Sequence, residues 1–190
     1  MPIKSRMKIQ ILLILAAFSL PPTIRATTLA RLSLDQLTAA ADAVARVRCA
    51  GAESRWENGA IWTVTTFDVV ETMKGNLPSR VTVHLPGGRV GHLTAAVDGT
   101  PKFNPGDEAV VFLERSSAGG FSVAGWVDGA FRIALDPRTL REIVTQDSSA
   151  FAVFDTATRT FHTEGIRRMP IEQFRTRVAS AVTRAEEKTR

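Results

Sequence analysis

The hydrophobic pattern changes period three times along the chain. Residues 9–20 (IQILLILAAFSL) are almost wholly apolar, and the sequence around residues 32–41 then takes a helical spacing. From residue 42 the period drops to two, the mark of strands with one face buried. Ser33-Leu34-Asp35-Gln36 has the form of a capping box, with Leu32 and Leu37 placed as a hydrophobic staple. A short helix is predicted from Leu34 to about Ala41, with Leu34, Leu37 and Ala41 on its apolar side.

Ala43, Ala45, Val47 and Cys49 alternate with Val44, Arg46 and Arg48, which predicts a half-buried strand. Asn58-Gly59 predicts a two-residue hairpin turn, because both central positions need positive φ. The returning strand runs from residue 60 to about 73. Strict pairing sets Arg46 opposite Glu71 and Val47 opposite Val70, yet it leaves Phe67 and Val69 on the arginine side. A bulge near Gly51 is predicted to repair that parity.

Further on, Lys74-Gly75-Asn76-Leu77-Pro78 turns the chain into a strand over 80–85, with Val81, Val83 and Leu85 inward. A long connection opens at Pro86-Gly87-Gly88-Arg89-Val90-Gly91 and runs to Gly106, with a short strand around 92–97 and a turn at Asp98-Gly99. Residues 108–115 (EAVVFLER) are apolar on both faces and predict a central, doubly covered strand. A strand over 121–127, a tight Asp128-Gly129 hairpin turn and a strand carrying Phe131, Ile133 and Leu135 follow. Residues 140–146 add another strand. Residues 150–168 carry no legible period. Pro170 then opens a helix over 170–188, whose stripe of Ile171, Phe174, Val178 and Val182 is expected to dock and close one end of the strand body.

The apolar run at 9–20 follows a cationic start (Lys4, Arg6, Lys8) and precedes Pro21-Pro22 and Ile24-Arg25-Ala26. It is short of the roughly 20 residues a bilayer span needs, so residues 1–26 read as a secretory signal peptide. Cleavage is expected after Ala26, with Ala30 as the second choice. No later apolar run has membrane length, so no membrane span is expected after cleavage, and the mature chain of 27–190 is expected to be secreted, periplasmic or extracellular.

Composition alters this picture little. The chain has 190 residues, with 24 Lys+Arg, 19 Asp+Glu and a net charge of +5. Four of the cations lie in residues 1–26, so the remainder holds 20 cations against 19 acids. A nucleic-acid footprint is therefore not expected. The single cysteine excludes an intramolecular disulfide, a cysteine zinc cage and an iron–sulfur cluster.

Reactive constellations are absent from the pattern. His84, His92 and His162 include no His-Glu-x-x-His spacing, no Gly-x-Ser-x-Gly elbow occurs, and Gly87-Gly88-Arg89-Val90-Gly91 lacks the spacing of a phosphate loop. Cys49 falls on the apolar side of its strand, where a thiol is inert. Asp107 and Glu108 are adjacent strand residues and point to opposite faces. The expectation is a non-enzyme with no cofactor and no metal. Two features stand out as contact sites: Trp56 beside a hairpin tip, and the long connection bearing Gly87, Gly88, Arg89 and His92.

The capped helix, then Ala-Asp-Ala-Val-Ala-Arg-Val, then Phe67-Asp-Val-Val-Glu-Thr-Met-Lys-Gly75, resembles a family of exported bacterial proteins of unassigned function. Leu85-Pro-Gly-Gly88, the run from Gly99 to Leu113, and Val127-Asp-Gly-Ala-Phe-Arg-Ile133 extend that resemblance over about residues 32–135. More distantly, the arrangement is similar to the netrin-like modules of tissue inhibitors of metalloproteinases, which are five-stranded OB-type barrels. Those inhibitors seat an N-terminal cysteine on the protease zinc. Cys49 lies inside a strand here, so the resemblance implies the barrel without the chelating mechanism.

These readings converge on a single domain over 27–190: a mainly antiparallel OB-like barrel or strongly bent sandwich with a short N-terminal and an amphipathic C-terminal helix. Its expected function is a non-catalytic binding module that meets an envelope or extracellular protein, in one version a protease, through loops at one barrel end. Trp56, Gly87, Gly88, Arg89 and His92 are the expected contact residues. The alternatives are a small hydrolase or transferase built on His84, His92 and Asp98, or a carrier of an apolar ligand.

Overall fold

The computed structural model describes residues 32–116, 119–150, 153–155, 160–162 and 165–189. These lie within the compact unit Arg31–Arg190. The proposed leader and both of its cleavage positions fall outside the described residues.

Helix α1 (Leu34–Ala40) begins as its sequence dictates. The Ser33 hydroxyl accepts from the Gln36 backbone N–H, and the Gln36 side chain accepts from the Ser33 N–H. At its other end the Lys74 ammonium donates to the carbonyls of Thr38 and Ala41, 2.6 Å each. Both orphan sets of a seven-residue helix are thus partly answered.

The body is mainly β. Strands β1 (Ala43–Glu57) and β2 (Ala60–Lys74) form a long hairpin about Asn58 (φ 50°) and Gly59 (φ 80°). Next come β3 (Arg80–Pro86), then β4 (Gly88–Val90) and β5 (Leu93–Ala95), which form a separate two-stranded sheet. The chain continues through β6 (Glu108–Arg115), β7 (Phe121–Val123), β8 (Ala130–Leu135) and β9 (Glu142–Gln146). Beyond them lie the short pair β10 (Val153–Asp155) and β11 (Thr160–His162), β12 (Met169–Pro170), and helix α2 (Ile171–Thr189).

Hydrogen bonding orders the main sheet β1-β2-β3-β7-β6-β8-β9-β12, and β6 pairs with β1 as well. Strands β1, β2, β3, β7 and β6 therefore close a ring. Every pairing in it is antiparallel except β3 with β7, which is parallel at Val83 and Phe121.

Ring closure creates two cores. The inner one gathers Ala45, Val47, Cys49, Phe67, Val83, Val111 and Leu113, all buried. Phe67 and Phe103 meet edge to face there, with centroids 4.9 Å apart. The outer core lies on the opposite face of β1 and β6, where Val44, Val110 and Phe112 receive Leu37 of α1 and Phe174 and Val178 of α2. A ring chain of Phe112, Phe131 and Phe174 crosses it, with centroid separations of 5.5 and 4.8 Å.

Several expectations need correction. The predicted parity repair occurs, since the β1–β2 register shifts between Cys49 and Gly51 and returns Phe67 to the interior. Val47 pairs with Val69, and one opposite shift between Arg46 and Val47 then restores Arg46 to Glu71, so Val70 is skipped and left 53% exposed; a further shift follows between Val44 and Ala45. The strand expected over 121–127 stops at Val123, and a 3₁₀ turn (Trp126–Gly129) replaces the tight Asp-Gly hairpin turn. Gly129 has no positive φ; a Cβ there would overlap the Ala124 carbonyl oxygen. Leu140 stands outside β9 and is exposed. Helix α2 does not close an end: its Ile171, Phe174, Val178 and Ala181 stripe covers the outer face of the ring, with Val182 half-buried beside it. Pro170 belongs to β12, paired with Ile143, and only then does the helix begin.

Candidate functional site

The end of the ring that carries the β1–β2 tip is the least ordinary surface. Trp56, opposite Ile61 in the hairpin register, is 58% exposed. The β4–β5 hairpin folds toward it and adds Leu93, 50% exposed, and the following Val97, 36% exposed. Together with Ile61, Trp62 and Ala95 they border an open apolar groove of about 380 Å³. Three large exposed apolar residues around one groove are what a contact surface requires, whereas single ones are common anywhere on a protein.

Glycine makes the hairpin's close approach possible. Gly87 (φ 92°) lies buried against Ala95, and its N–H donates to the Ile61 carbonyl at 2.8 Å. Gly88 (φ 134°) sits where a Cβ would overlap the hydroxyls of Ser54 and Thr63. Those hydroxyls are 2.9 Å apart, and the Thr63 hydroxyl donates to the Gly87 carbonyl at 2.7 Å. The Gly-Gly pair is thus fixed by contact with β1 and β2.

Beneath β5 lies a second space of about 300 Å³. Thr65, Leu85 and Phe103 line its inner side, while Arg89 and Lys102 line its solvent side. Pro86, Gly87, Thr94, Ala95 and Val97 border both this cavity and the groove, so the β5 segment is the wall between them. The loop after Val97 is pinned at its far end, where the Val127 N–H donates to the Gly99 carbonyl at 3.0 Å. Trp126, with φ 55° and 42% exposed, packs near Gly99.

The expected contact residues divide accordingly. Trp56 and Gly87 line the groove; Gly87, Gly88 and Arg89 line the cavity; His92 stands exposed in the β4–β5 turn and borders neither. Leu93, Val97, Thr65 and Thr100 went unread in the sequence. Leu93 and Val97 carry a faint signal, as isolated apolar residues in an otherwise polar connection. Thr65 was legible only through its parity with Phe67.

The residues of the alternative catalytic set lie outside the lining of both spaces. His84 sits in β3 opposite Val64, His92 in the hairpin turn and Asp98 in the turn with Gly99. Among the described residues, no three His, Cys, Asp or Glu side chains group as a metal site. Cys49 is buried, with burial pushing its thiol up from its ordinary value.

A charged belt crosses the outer face of the sheet instead. Arg46 donates to Glu142 at 2.7 and 2.8 Å and to Glu108 at 2.6 Å, and Arg48 also donates to Glu108 at 2.6 Å. Arg175 of α2 reaches Glu71 at 2.5 Å. On the opposite face, beside the inner core, Arg132 spans Asp107 and Asp147 while lying 4.1 Å over the Phe103 ring. The hydrogen bond from Arg48, then that from Arg46, holds Glu108 below the ordinary carboxylate range. The bond from Arg46 does the same for Glu142. Carboxylates held ionised this way are poor general acids near neutrality and good cross-strand fasteners.

That arrangement sets a pH dependence. A carboxylate with a depressed folded value contributes stability above its unfolded value, and the contribution is lost as pH falls through the folded one. The urea midpoint is expected to stay level from pH 7 to 5 and to fall below about pH 4.5. In Glu108→Gln the midpoint at pH 7 is lower and the acid fall shallower. An acid fall as steep in that variant as in the parent would remove the belt as its cause.

No protein-family model matches the chain, and none of the curated proteins matches it. Among the described residues, no helix is long and apolar enough to cross a membrane.

Proposed function

We propose that this chain is an exported, non-catalytic binding module that grips a protein partner of the envelope or extracellular space through the groove between Trp56 and the β4–β5 hairpin. The observation that carries the reading is that groove: about 380 Å³, mainly apolar, with Trp56, Leu93 and Val97 all exposed on it. Tryptophan at the centre of an apolar patch is the residue type most often found to dominate a protein interface.

The architecture supports the same reading. A five-strand ring in the order β1-β2-β3-β7-β6, closed by β6 on β1 and with β3 and β7 parallel, fits an OB-like barrel. Such barrels bind through the loops and hairpins at one end. A ring of this kind is what the resemblance to netrin-like modules implies, and a protease is the partner class that resemblance suggests. Export rests on the cationic start, the 12-residue apolar run and Ala26, and predicts a mature N-terminus at Thr27.

The test is crosslinking capture from the native source, with the parent, Trp56→Ala, Leu93→Ala and, as a control, Leu140→Ala. Leu140 is 71% exposed and lies away from the groove, outside its lining. At least one captured protein is expected to fall about thirtyfold with Trp56→Ala, the loss of an anchor worth about 2 kcal/mol, and to be unchanged with Leu140→Ala. Equal capture by all four proteins would show that the groove is not the contact face.

A further inference from the structure

We infer that the cavity beneath β5 is a binding site for a small organic monoanion, a one- or two-ring carboxylate. The site is distinct from the protein-docking groove, which it adjoins through the β5 wall.

Size sets the first limit. A closed apolar cavity of about 150 Å³ takes one benzene ring, and this one holds about 300 Å³. Leu85, Phe103 and Ala95 give it apolar walls, and Phe103 is fixed there by its edge contact with Phe67.

Unused hydrogen-bonding capacity sets the second. Thr65 is fully buried, shares the inward face of β2 with Thr63 and Phe67, and lines the cavity. Its hydroxyl has no partner, and neither has the buried hydroxyl of Thr100, which lines the same cavity. Thr63 shows the ordinary outcome, with its hydroxyl fully engaged by Ser54 and Gly87. Buried hydroxyls are nearly always satisfied, so two left open on one cavity point to an occupant that supplies an acceptor.

Charge sets the third. The two charged residues lining the cavity are Arg89 and Lys102, both exposed on its solvent side, and no acidic side chain lines it. Arg89 donates from Nε to the Gly91 carbonyl at 3.1 Å, and among the described residues neither cation has an acidic partner. The cavity thus offers two open buried hydroxyls able to donate and two cations, with no lining carboxylate opposed to them. A carboxylate head satisfies them, a neutral head satisfies only the hydroxyls, and an ammonium head is repelled.

The experiment is isotope-edited NMR titration of the protein with phenylacetate, phenylacetamide and phenethylammonium, three probes of similar shape and different charge. Phenylacetate is expected to shift the amides of Thr65, Thr100 and Phe103 and to bind about tenfold more tightly than phenylacetamide. Phenethylammonium is expected not to bind. In the double variant Arg89→Gln/Lys102→Gln, phenylacetate and phenylacetamide bind equally. Thr65→Val keeps the side-chain shape, removes the orphan hydroxyl and folds at least as stably as the parent, yet it weakens both ligands. Equal binding of all three probes, no shifts at millimolar phenylacetate, or binding indifferent to both variants would overturn the proposal. Since the groove residues are untouched in these variants, the outcome is independent of the partner-capture result.

Discussion

Replacing Phe131 by alanine is expected to lower the unfolding free energy by about 3–5 kcal/mol. Phe131 is 1% exposed, and its ring is the middle member of the chain from Phe112 on the sheet to Phe174 on α2. Truncation leaves a void bounded by a sheet on one side and a helix on the other. Neither can move inward without breaking its own packing, so the void stays open and the cost is high. Leu135 lies on the same strand and at the same parity, but it is 59% exposed. Leu135→Ala is expected to stay within about 0.5 kcal/mol of the parent. Urea titration of both reads the difference directly, and comparable losses at the two positions would mean that α2 does not seal this core.

Gly129→Ala is expected to cost about 3 kcal/mol, through space and not through conformation. Gly129 lies outside the left-handed region, but a Cβ there would run into the Ala124 carbonyl oxygen, so backbone has to move. Gly59 is the matched contrast. It has φ 80° and open space around it, so Gly59→Ala costs the left-handed penalty alone, about 1–2 kcal/mol. Thermal unfolding of the two variants separates the causes. A Gly129→Ala protein no less stable than Gly59→Ala would restore the hairpin-turn reading of Asp128-Gly129.

That contrast also marks where the sequence could be read. Asn58-Gly59 announced its turn because two-residue turns need positive φ at both places, a local demand. Gly129 answers a close approach by Ala124, and no local pattern encodes which neighbour will press on a glycine. The same division runs through the strands. Alternation located β1, β3 and β8, the Asn58-Gly59 turn located β2 and a run apolar on both faces located β6, while the misplacement of Phe67 under strict pairing pointed to the Cys49–Gly51 shift. The compensating shift at Val70 had no such signature, because Arg46 faces Glu71 with both shifts or with neither.

The site was legible in part for similar reasons. Trp56 and the glycines stood out by residue type. Leu93, Val97, Thr65 and Thr100 matter only because the β4–β5 hairpin lies back over the open end of the ring. Helix α2 was found by its period, but the face it would cover was not, since Val44 and Phe112 looked no different from residues pointing inward. The charged belt hid for the opposite reason: Arg46, Glu108 and Glu142 are far apart in sequence and ordinary one at a time.

The closure of β1 on β6 has a consequence for how the polypeptide acquires its shape. Ala43 pairs with Leu113, so the first long hairpin stays open along one side until β6 has been made. Non-local strand pairing of this kind is intrinsically slow. For that interval the unpaired flank of β1 is sticky and available to wrong neighbours. Once joined, each of the five strands has at least two partners, and the sheet's remaining terminus is β12, two residues long and ending in Pro170. The molecule is thus at greatest hazard of aggregating while half-synthesised, and well protected when finished.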